Sequence, residues 1–507
     1  MSCDIFFKFK TNLNLNSLLR DYFIKIKTET KIKFIKNIPK YTQNISIYGR
    51  ELIENYENYK NIKTLKIKEL IGKTINLTKF VNLENIILIN CNCCSIYDIK
   101  VIKKLKMINS SFTNDNFIQN GENIKSIKLI NSQLHGNNFD KKYESIVTDN
   151  ENLLQSIKKN DTLKKLSVTC NCNLTCDQLK MLKVFKYGRN IPHSKLSHLE
   201  NVQKLKLCAE LIYVNDCPYF NNLIELNING IEGKNKKKIF DKMPYLKKLI
   251  IKCDDTFTDG NIFDGIKCLK ILHITSSKKI DDTFLKNLEY LEEYHIYIND
   301  NIDNLYISHP DTLCKKINIK NLYFRGDYLI DNNINTLCNL EILELCGCNK
   351  LSNNIFTNMK KLKKLVIKDI YNLSLCVSDI PNLKKLICED IVDLNLSLEK
   401  NKLEKLSVIS CFKKQKLTKK FFEHLNNLNY LNISYNNCLY LESEFLDYVP
   451  NIKYLNINDC TSVNFANKIY TLKYLCVLYA YYQRENVISI LVNNISDNIR
   501  VHYNILL

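Results

Sequence analysis

One pattern of apolar and polar positions recurs along the 507 residues: apolar-x-x-apolar-x-apolar. It is plainest in LKKLSV from Leu163, LKKLII from Leu246, LKKLVI from Leu362 and LKKLIC from Leu383. Copies of the frame start at Ile62, Leu83, Ile102, Ile124, Tyr143, Leu163, Leu179, Val202, Leu223 and Leu246. They continue from Leu269, Leu291, Ile319, Leu340, Leu362, Leu383, Leu403, Leu428, Ile452 and Leu472, twenty in all, at a mean period of about 21.6 residues. Tyr143 and Leu179 are the least regular starts, and weaker copies begin at Thr42 and Ser496. Positions four and six alternate with polar neighbours, so each copy predicts a short strand with one buried face. No copy can bury that face alone. Stacking of neighbours into a continuous core follows, which predicts a solenoid.

The ninth position of the frame is the next regularity. It holds Cys91, Asn299, Cys348, Cys411, Asn436 and Cys460, with Leu70, Ile231 and Ile370 as departures. On these features the chain resembles the leucine-rich repeat family over roughly residues 42–501. The subtype it resembles is the cysteine-containing, F-box-associated one, as in LEILELCGCNKLSNNIFTNMKK from Leu340 and LKILHITSSKKIDDTFLKNLEY from Leu269. The resemblance implies an α/β fold: a curved solenoid with parallel strands on the concave face and short helices or 3-10 turns on the convex face. It also implies that the ninth side chain bonds turn backbone inside the coil. Phe284, Leu285 and Leu288 are spaced to cover one face of a convex helix. The expected organisation is an N-terminal cap over 1–41, the solenoid over 42–480, and a C-terminal cap with a last strand over 481–507. The proline-led helical pattern of an F-box is absent near the N-terminus, so a substrate receptor of a ubiquitin ligase ranks only as an alternative.

Composition adjusts this picture in three ways. At 45% hydrophobic and 25% charged residues, the chain is neither disordered nor collagen-like. Arg, Ala, Gly and Pro are scarce while Lys and Asn abound, as in an AT-rich genome such as that of an intracellular parasite or a large DNA virus. The net charge of +20 is therefore read first as codon use and solvated surface. A Lys-rich nucleic-acid-binding solenoid ranks second, because Arg is the residue suited to bidentate phosphate and guanine contacts. The 21 Cys, the lack of a leader-like start and the lack of a long apolar stretch predict a cytoplasmic protein with free thiols and no membrane span.

Motifs for catalysis are missing: there is no G-x-x-x-x-G-K-[ST], G-x-G-x-x-G, H-E-x-x-H or G-x-S-x-G, and only 8 His are present. No enzyme activity, cofactor, metal or small-molecule substrate is expected. Two cysteine groupings stand out. Cys91, Cys93 and Cys94 are explained by the ninth position. Cys170, Cys172 and Cys176 with His193 and His198 space loosely like a zinc site, yet packed thiols with surface histidines are the simpler reading.

The exposed strand positions carry more. Position three is Lys165, Lys204, Lys248, Lys364, Lys385 and Lys405, is acidic at Glu225 and Glu293, and is Tyr430, Tyr454 and Tyr474 in the last three copies. Asn432, Asn456, Ser434 and Asn458 flank the first two tyrosines. Stiff amphipathic rings beside small polar groups suit protein recognition. The expected function is a non-catalytic protein–protein interaction scaffold. Its partner-binding residues are Tyr430, Asn432, Tyr454, Asn456 and Tyr474, and if the genome is viral or parasitic the partner is a host factor.

Overall fold

Each copy of the frame becomes one strand of a parallel sheet, because an extended segment with alternate residues buried finds its backbone partners only in the coils before and after it. The computed structural model describes residues 24–26, 43–48, 60–112 (save 73, 79, 94 and 98–101), 123–134, 143–150, 153–154, 162–169, 176–188, 193–208, 211–213, 217–232 and 236–253. It further describes 262–276, 285–298 (save 286), 319–325, 337–349, 355–399, 401–411, 419–436, 443–458, 472–479 and 500–502. The chain forms two compact units, Met1–Tyr245 and Leu246–Leu507.

In the first unit the main strands run from Ile24–Ile26 and Asn44–Tyr48 through Thr64–Lys68, Asn85–Ile89 and Lys104–Ile108 to Lys204–Leu207 and Glu225–Ile228. Each pairs in parallel with the next, with like frame positions opposite one another, as in Thr64 with Asn85 and Asn85 with Lys104. The second unit repeats the arrangement from Lys248–Cys253 to Arg500–His502. Lys364, Lys385, Lys405, Tyr430 and Tyr454 stand in one row there. Frame positions one, four and six line the interior: Leu362, Leu365 and Ile367 have no accessible surface, nor do Leu428, Leu431 and Ile433. Ile24–Ile26 extends the sheet parallel to Asn44–Tyr48 inside the region expected as an N-terminal cap, and Arg500–His502 pairs in parallel with Val477–Tyr479.

Two starts of the frame are corrected by the register. Lys165 faces Val184, and Tyr454 faces Val477. The copies therefore start at Leu182 and Leu475, three residues after Leu179 and Leu472. The reason is that the coil also buries an apolar residue three positions before its start, where the convex turn closes. The Leu182 amide donates to the Leu179 carbonyl at 3.2 Å, and Leu475 to Leu472 at 3.2 Å. Leu383 does the same to Ile380, and Ile452 to Val449. A run of L-x-x-L-x-x-L thus fits two frames.

The exit from the strand is as regular as the strand. Position eight takes a left-handed conformation in Glu69, Asn90, Asn109, Asn131, Asp369, Asp390, Ser410 and Tyr435, and in Gly347. Asn and Asp tolerate that region best among residues with a Cβ. Asn131 donates to Asn109, and Asn109 to Asn90, each at 3.2 Å, an exposed amide ladder along the turns.

Position nine then turns inward. The Cys91 thiol donates to the carbonyls of Ile89 and Ile67, Cys348 to Cys346, and Cys411 to Ile409. Asn436, fully buried, donates to the Val408 and Ile433 carbonyls and accepts from the Cys411 amide at 2.7 Å. Ser110 and Ser132 do the same work: the Cys91 amide donates to Ser110 Oγ, and the Ser110 amide to Ser132 Oγ. Asn299 and Cys460 lie outside the described residues.

Where position nine is Leu70, Ile231, Ile370 or Ile391, short parallel strands follow or enclose it: Thr74–Asn76 with Ser95–Tyr97, Leu211–Tyr213 with Gly230–Glu232, and Ser374–Cys376 with Asn395–Ser397. The Leu70 carbonyl then takes the Asn92 amide, and the Ile370 carbonyl the Val392 amide. The same backbone bond forms where position nine is polar, the Cys91 carbonyl taking the Ser111 amide and the Ser110 carbonyl the Gln133 amide, so it does not depend on the ninth side chain. Helices among the described residues are short, such as Cys176–Met181, the 3-10 segment Lys236–Lys242 and Lys419–Phe422. Phe422 and Phe445, from successive convex segments, meet in the core at 4.8 Å.

Two outcomes follow. Asn436→Leu strands one buried amide and two carbonyls, and should cost about 2–4 kcal/mol in denaturant unfolding, whereas Cys348→Asn should stay within about 1 kcal/mol of the parent. Burial pushes the Cys411 thiol up to about 12, and Cys388 well above its ordinary value. At mildly alkaline pH a thiol reagent should label the exposed Cys208, Cys338 and Cys476 in the native protein and spare Cys388 and Cys411 until it unfolds. Equal labelling rates would contradict the packing described.

Candidate functional site

The side chains that the strands leave uncovered are those of positions three, five and seven, repeated every strand, about 4.8 Å apart. They form columns across each sheet, and three kinds of chemistry occupy them.

In the first unit the columns are basic. Lys66, Lys68, Lys104, Lys106, Lys128, Lys165, Lys186, Lys204 and Lys206 hold these positions, against Asp149 and Glu225. Lys204 pairs with Glu225 at 2.5 Å. Other lysines are spent elsewhere. Position two, on the rim, holds ion pairs between coils: Lys103 pairs with Glu84, Lys125 with Glu144, Lys270 with Glu292, Lys363 with Glu341 and Lys384 with Glu404. These pairs are exposed and salt-screened, so they fix register more than stability.

In the second unit Tyr430 and Tyr454 stack face to face, with centroids 4.3 Å apart and planes 6° from parallel. The predicted third ring is not in the row. Val477 faces Tyr454, and Tyr474 lies in the turn before the strand, 56% exposed. The flanking amides also differ from expectation. Asn432 is buried, and its Oδ1 accepts the Ser434 amide at 3.1 Å. Asn456 accepts the Asn458 amide at 3.0 Å in the same way. Both side chains close the ends of their short strands, so their oxygens are committed to backbone rather than turned to a partner.

The third feature was missed in the sequence. His273 and His295 occupy position five of consecutive coils and lie opposite each other in register. Their rings stack at 3.6 Å, tilted 38°, and Tyr323 of the next coil stacks on His295 at 3.8 Å and 8°. Glu293, at position three, receives both: Oε1 is 3.2 Å from His273 Nε2 and 2.8 Å from His295 Nε2. Asn321 Nδ2 donates to the other carboxylate oxygen at 3.5 Å. The three side chains are mostly buried, at 20%, 25% and 12% exposure for His273, Glu293 and His295.

Burial, with the neighbouring His295 and Lys248, takes His273 down to about 4 despite the pull of Glu293. Burial and Lys248 lower His295 too, against the pull of Glu293 and Glu344. Burial works to raise Glu293, but the hydrogen bonds from His295, His273 and Asn321 outweigh it and hold it low. At neutral pH the cluster is therefore one carboxylate between two neutral imidazoles. The signal was present in the sequence, as two His in ILHI and EYHI at one frame position 22 residues apart beside the acidic exception Glu293.

The groupings weighed from sequence fare differently. Cys91 is buried and bonded as the ninth-position reading requires, and Cys94 lies outside the described residues. Cys176 opens the helix Cys176–Met181, His193 opens His193–Leu196, and His198 sits in the following turn. Cys170 and Cys172 lie outside the described residues. No helix among the described residues is long and apolar enough to cross a membrane.

The architecture is shared with solved structures. The chain is similar to one in the crystal structure of a TLR13–ssRNA13 complex, at a TM-score of 0.53 over 92% of this chain and 93% of that one, with 15% identity. The fold is that of a leucine-rich repeat solenoid. Lower similarity extends to the mouse RP105/MD-1 complex, at TM-score 0.48, 13% identity, and 88% and 89% of the two chains. An internalin (inlF) from Listeria monocytogenes gives 0.35, at 15% identity over 72% and 87%. No protein-family model matches the sequence, and no characterised protein matches it. At such identities the likeness speaks for the fold and leaves function to the site itself.

Proposed function

We propose that the chain is a non-catalytic scaffold that takes a protein partner on the exposed face of its main strands. The observation that carries this reading is the Tyr430–Tyr454 stack. Two half-exposed rings held parallel by paired strands form a stiff, amphipathic platform, the kind of surface that anchors protein interfaces at little entropic cost. The row Lys364, Lys385 and Lys405 leads up to it and supplies charge that steers an acidic partner. A finer form follows from composition: the protein belongs to an intracellular parasite or large DNA virus and engages a host protein in the cytoplasm. The free thiols among the described cysteines support a reducing compartment.

The test starts from affinity purification with mass spectrometry in the native cell and continues with the purified partner. Tyr430→Ala combined with Tyr454→Ala should weaken binding by about 2 kcal/mol or more, roughly 30-fold, with the melting temperature nearly unchanged. Tyr474→Ala, outside the stack, should matter less. Retained binding in the tyrosine double variant would remove the platform from the reading.

A second reading has its own observation: nine lysines against two acids on the exposed positions of the first unit. The TLR13 structure is by title a complex with single-stranded RNA, though a shared fold does not carry a ligand with it. If nucleic acid is the partner, affinity for single-stranded RNA should fall steeply with salt, and Lys106→Ala with Lys128→Ala and Lys206→Ala should flatten that slope by about two to three units. Affinity independent of salt would exclude it.

A further inference from the structure

We propose that His273, Glu293 and His295 together bind one divalent transition-metal ion of the zinc class, with coordination positions left open toward the exposed face of the sheet. Their donor atoms all lie within 4.8 Å of one another. Two nitrogens and one oxygen bound tetrahedrally to zinc would stand about 3.3 Å apart, given metal–ligand bonds of about 2.0–2.1 Å. The observed separations from Glu293 Oε1, 3.2 Å and 2.8 Å, need only small adjustment.

The surroundings orient these donors as supporting groups do in metal sites. Asn321 holds the far carboxylate oxygen, and the Tyr323 ring fixes the plane of His295. Strand pairing fixes both imidazoles in adjacent coils, so the chain gives up little side-chain freedom on binding. Two imidazoles and a carboxylate select zinc, cobalt, nickel, copper or ferrous iron over magnesium and calcium, which prefer all-oxygen sets. Lys248 faces the cluster from the preceding strand and opposes a cation, while Glu344 faces it from beyond Tyr323 and offsets that charge. Binding needs no net proton release from a neutral ring: each imidazole changes tautomer, its proton moving from Nε2, where it bonds Glu293, to Nδ1, which frees the Nε2 lone pair for the metal.

The same distances could also serve a carboxylate that simply accepts two imidazole N–H bonds, and metal titration separates the two. Full-length protein stripped with a chelator is titrated with Co²⁺ and Zn²⁺ alone. The parent should take up one equivalent at this site, with a cobalt spectrum of nitrogen and oxygen ligation that survives alkylation of the exposed thiols. His273→Gln with His295→Gln should bind that equivalent at least about 100-fold more weakly while its circular dichroism is unchanged. Glu293→Gln, which keeps the size and polarity of the side chain, should do the same and decides the matter if the double variant does not fold. Absence of a bound ion, equal binding by the variants, or a thiolate charge-transfer spectrum abolished by alkylation would each overturn the site.

Discussion

A stacked coil must turn its backbone inside an apolar interior, and the peptide groups of that turn need partners there. An unpaired buried amide or carbonyl costs about 1–3 kcal/mol, and every coil would incur that cost anew. The chain meets the constraint in two ways. A short polar side chain at position nine bonds a carbonyl two or three residues back and the amide of the neighbouring coil, as Ser110, Ser132 and Asn436 do. The turn also extends into a second short strand, after the apolar Leu70 and Ile370 and equally after Cys91, Ser110 and Ser132. The left-handed residue at position eight makes either exit geometrically open. With the turns satisfied, the coils stay in register, and the register is what gathers residues about 22 apart into columns.

Most of this was readable from the chain. The period, the parallel strands, the buried positions one, four and six, and the inward Cys and Asn follow from a pattern whose physics is local to one coil. The errors arose where local information is ambiguous. Leu179-Leu182-Phe185 and Leu472-Leu475-Leu478 each satisfy the frame twice, and only the pairing partner decides. That single slip placed Tyr474 in a row that Val477 occupies. Asn432 and Asn456 show a second kind of local demand, since their side-chain oxygens accept the amides of Ser434 and Asn458. Their strands are three residues long, so the amides are needed to end them, and strand length is set by the neighbours rather than by the residues themselves.

The His273–Glu293–His295 cluster shows the complementary limit. Spacing arguments search for ligands close in sequence, as in the Cys170–His198 grouping, because helices and loops bring near residues together. A solenoid brings together residues one period apart instead, so the relevant spacing is the repeat length. His273 and His295 are 22 residues apart and have ring centroids 3.6 Å apart. Read column by column rather than along the chain, the same sequence also separates its lysines. At position two, Lys103, Lys125, Lys270, Lys320, Lys363 and Lys384 are held as rim pairs with Glu of an adjacent coil. Those at positions three and five of the first unit meet few acids.

That separation bears on the charge itself. A codon-driven lysine excess should scatter over all solvated positions alike. On the rim, instead, Glu84, Glu144, Glu292, Glu341 and Glu404 are each set against a Lys of an adjacent coil. Acidic residues are thus concentrated where they bridge neighbouring coils and are sparse on the first unit's exposed strand positions. Codon use can raise the number of lysines, but it does not choose where the glutamates go. The basic columns of the first unit are therefore a property of placement, and the tyrosine platform and imidazole cluster of the second unit are different chemistries on the same scaffold positions.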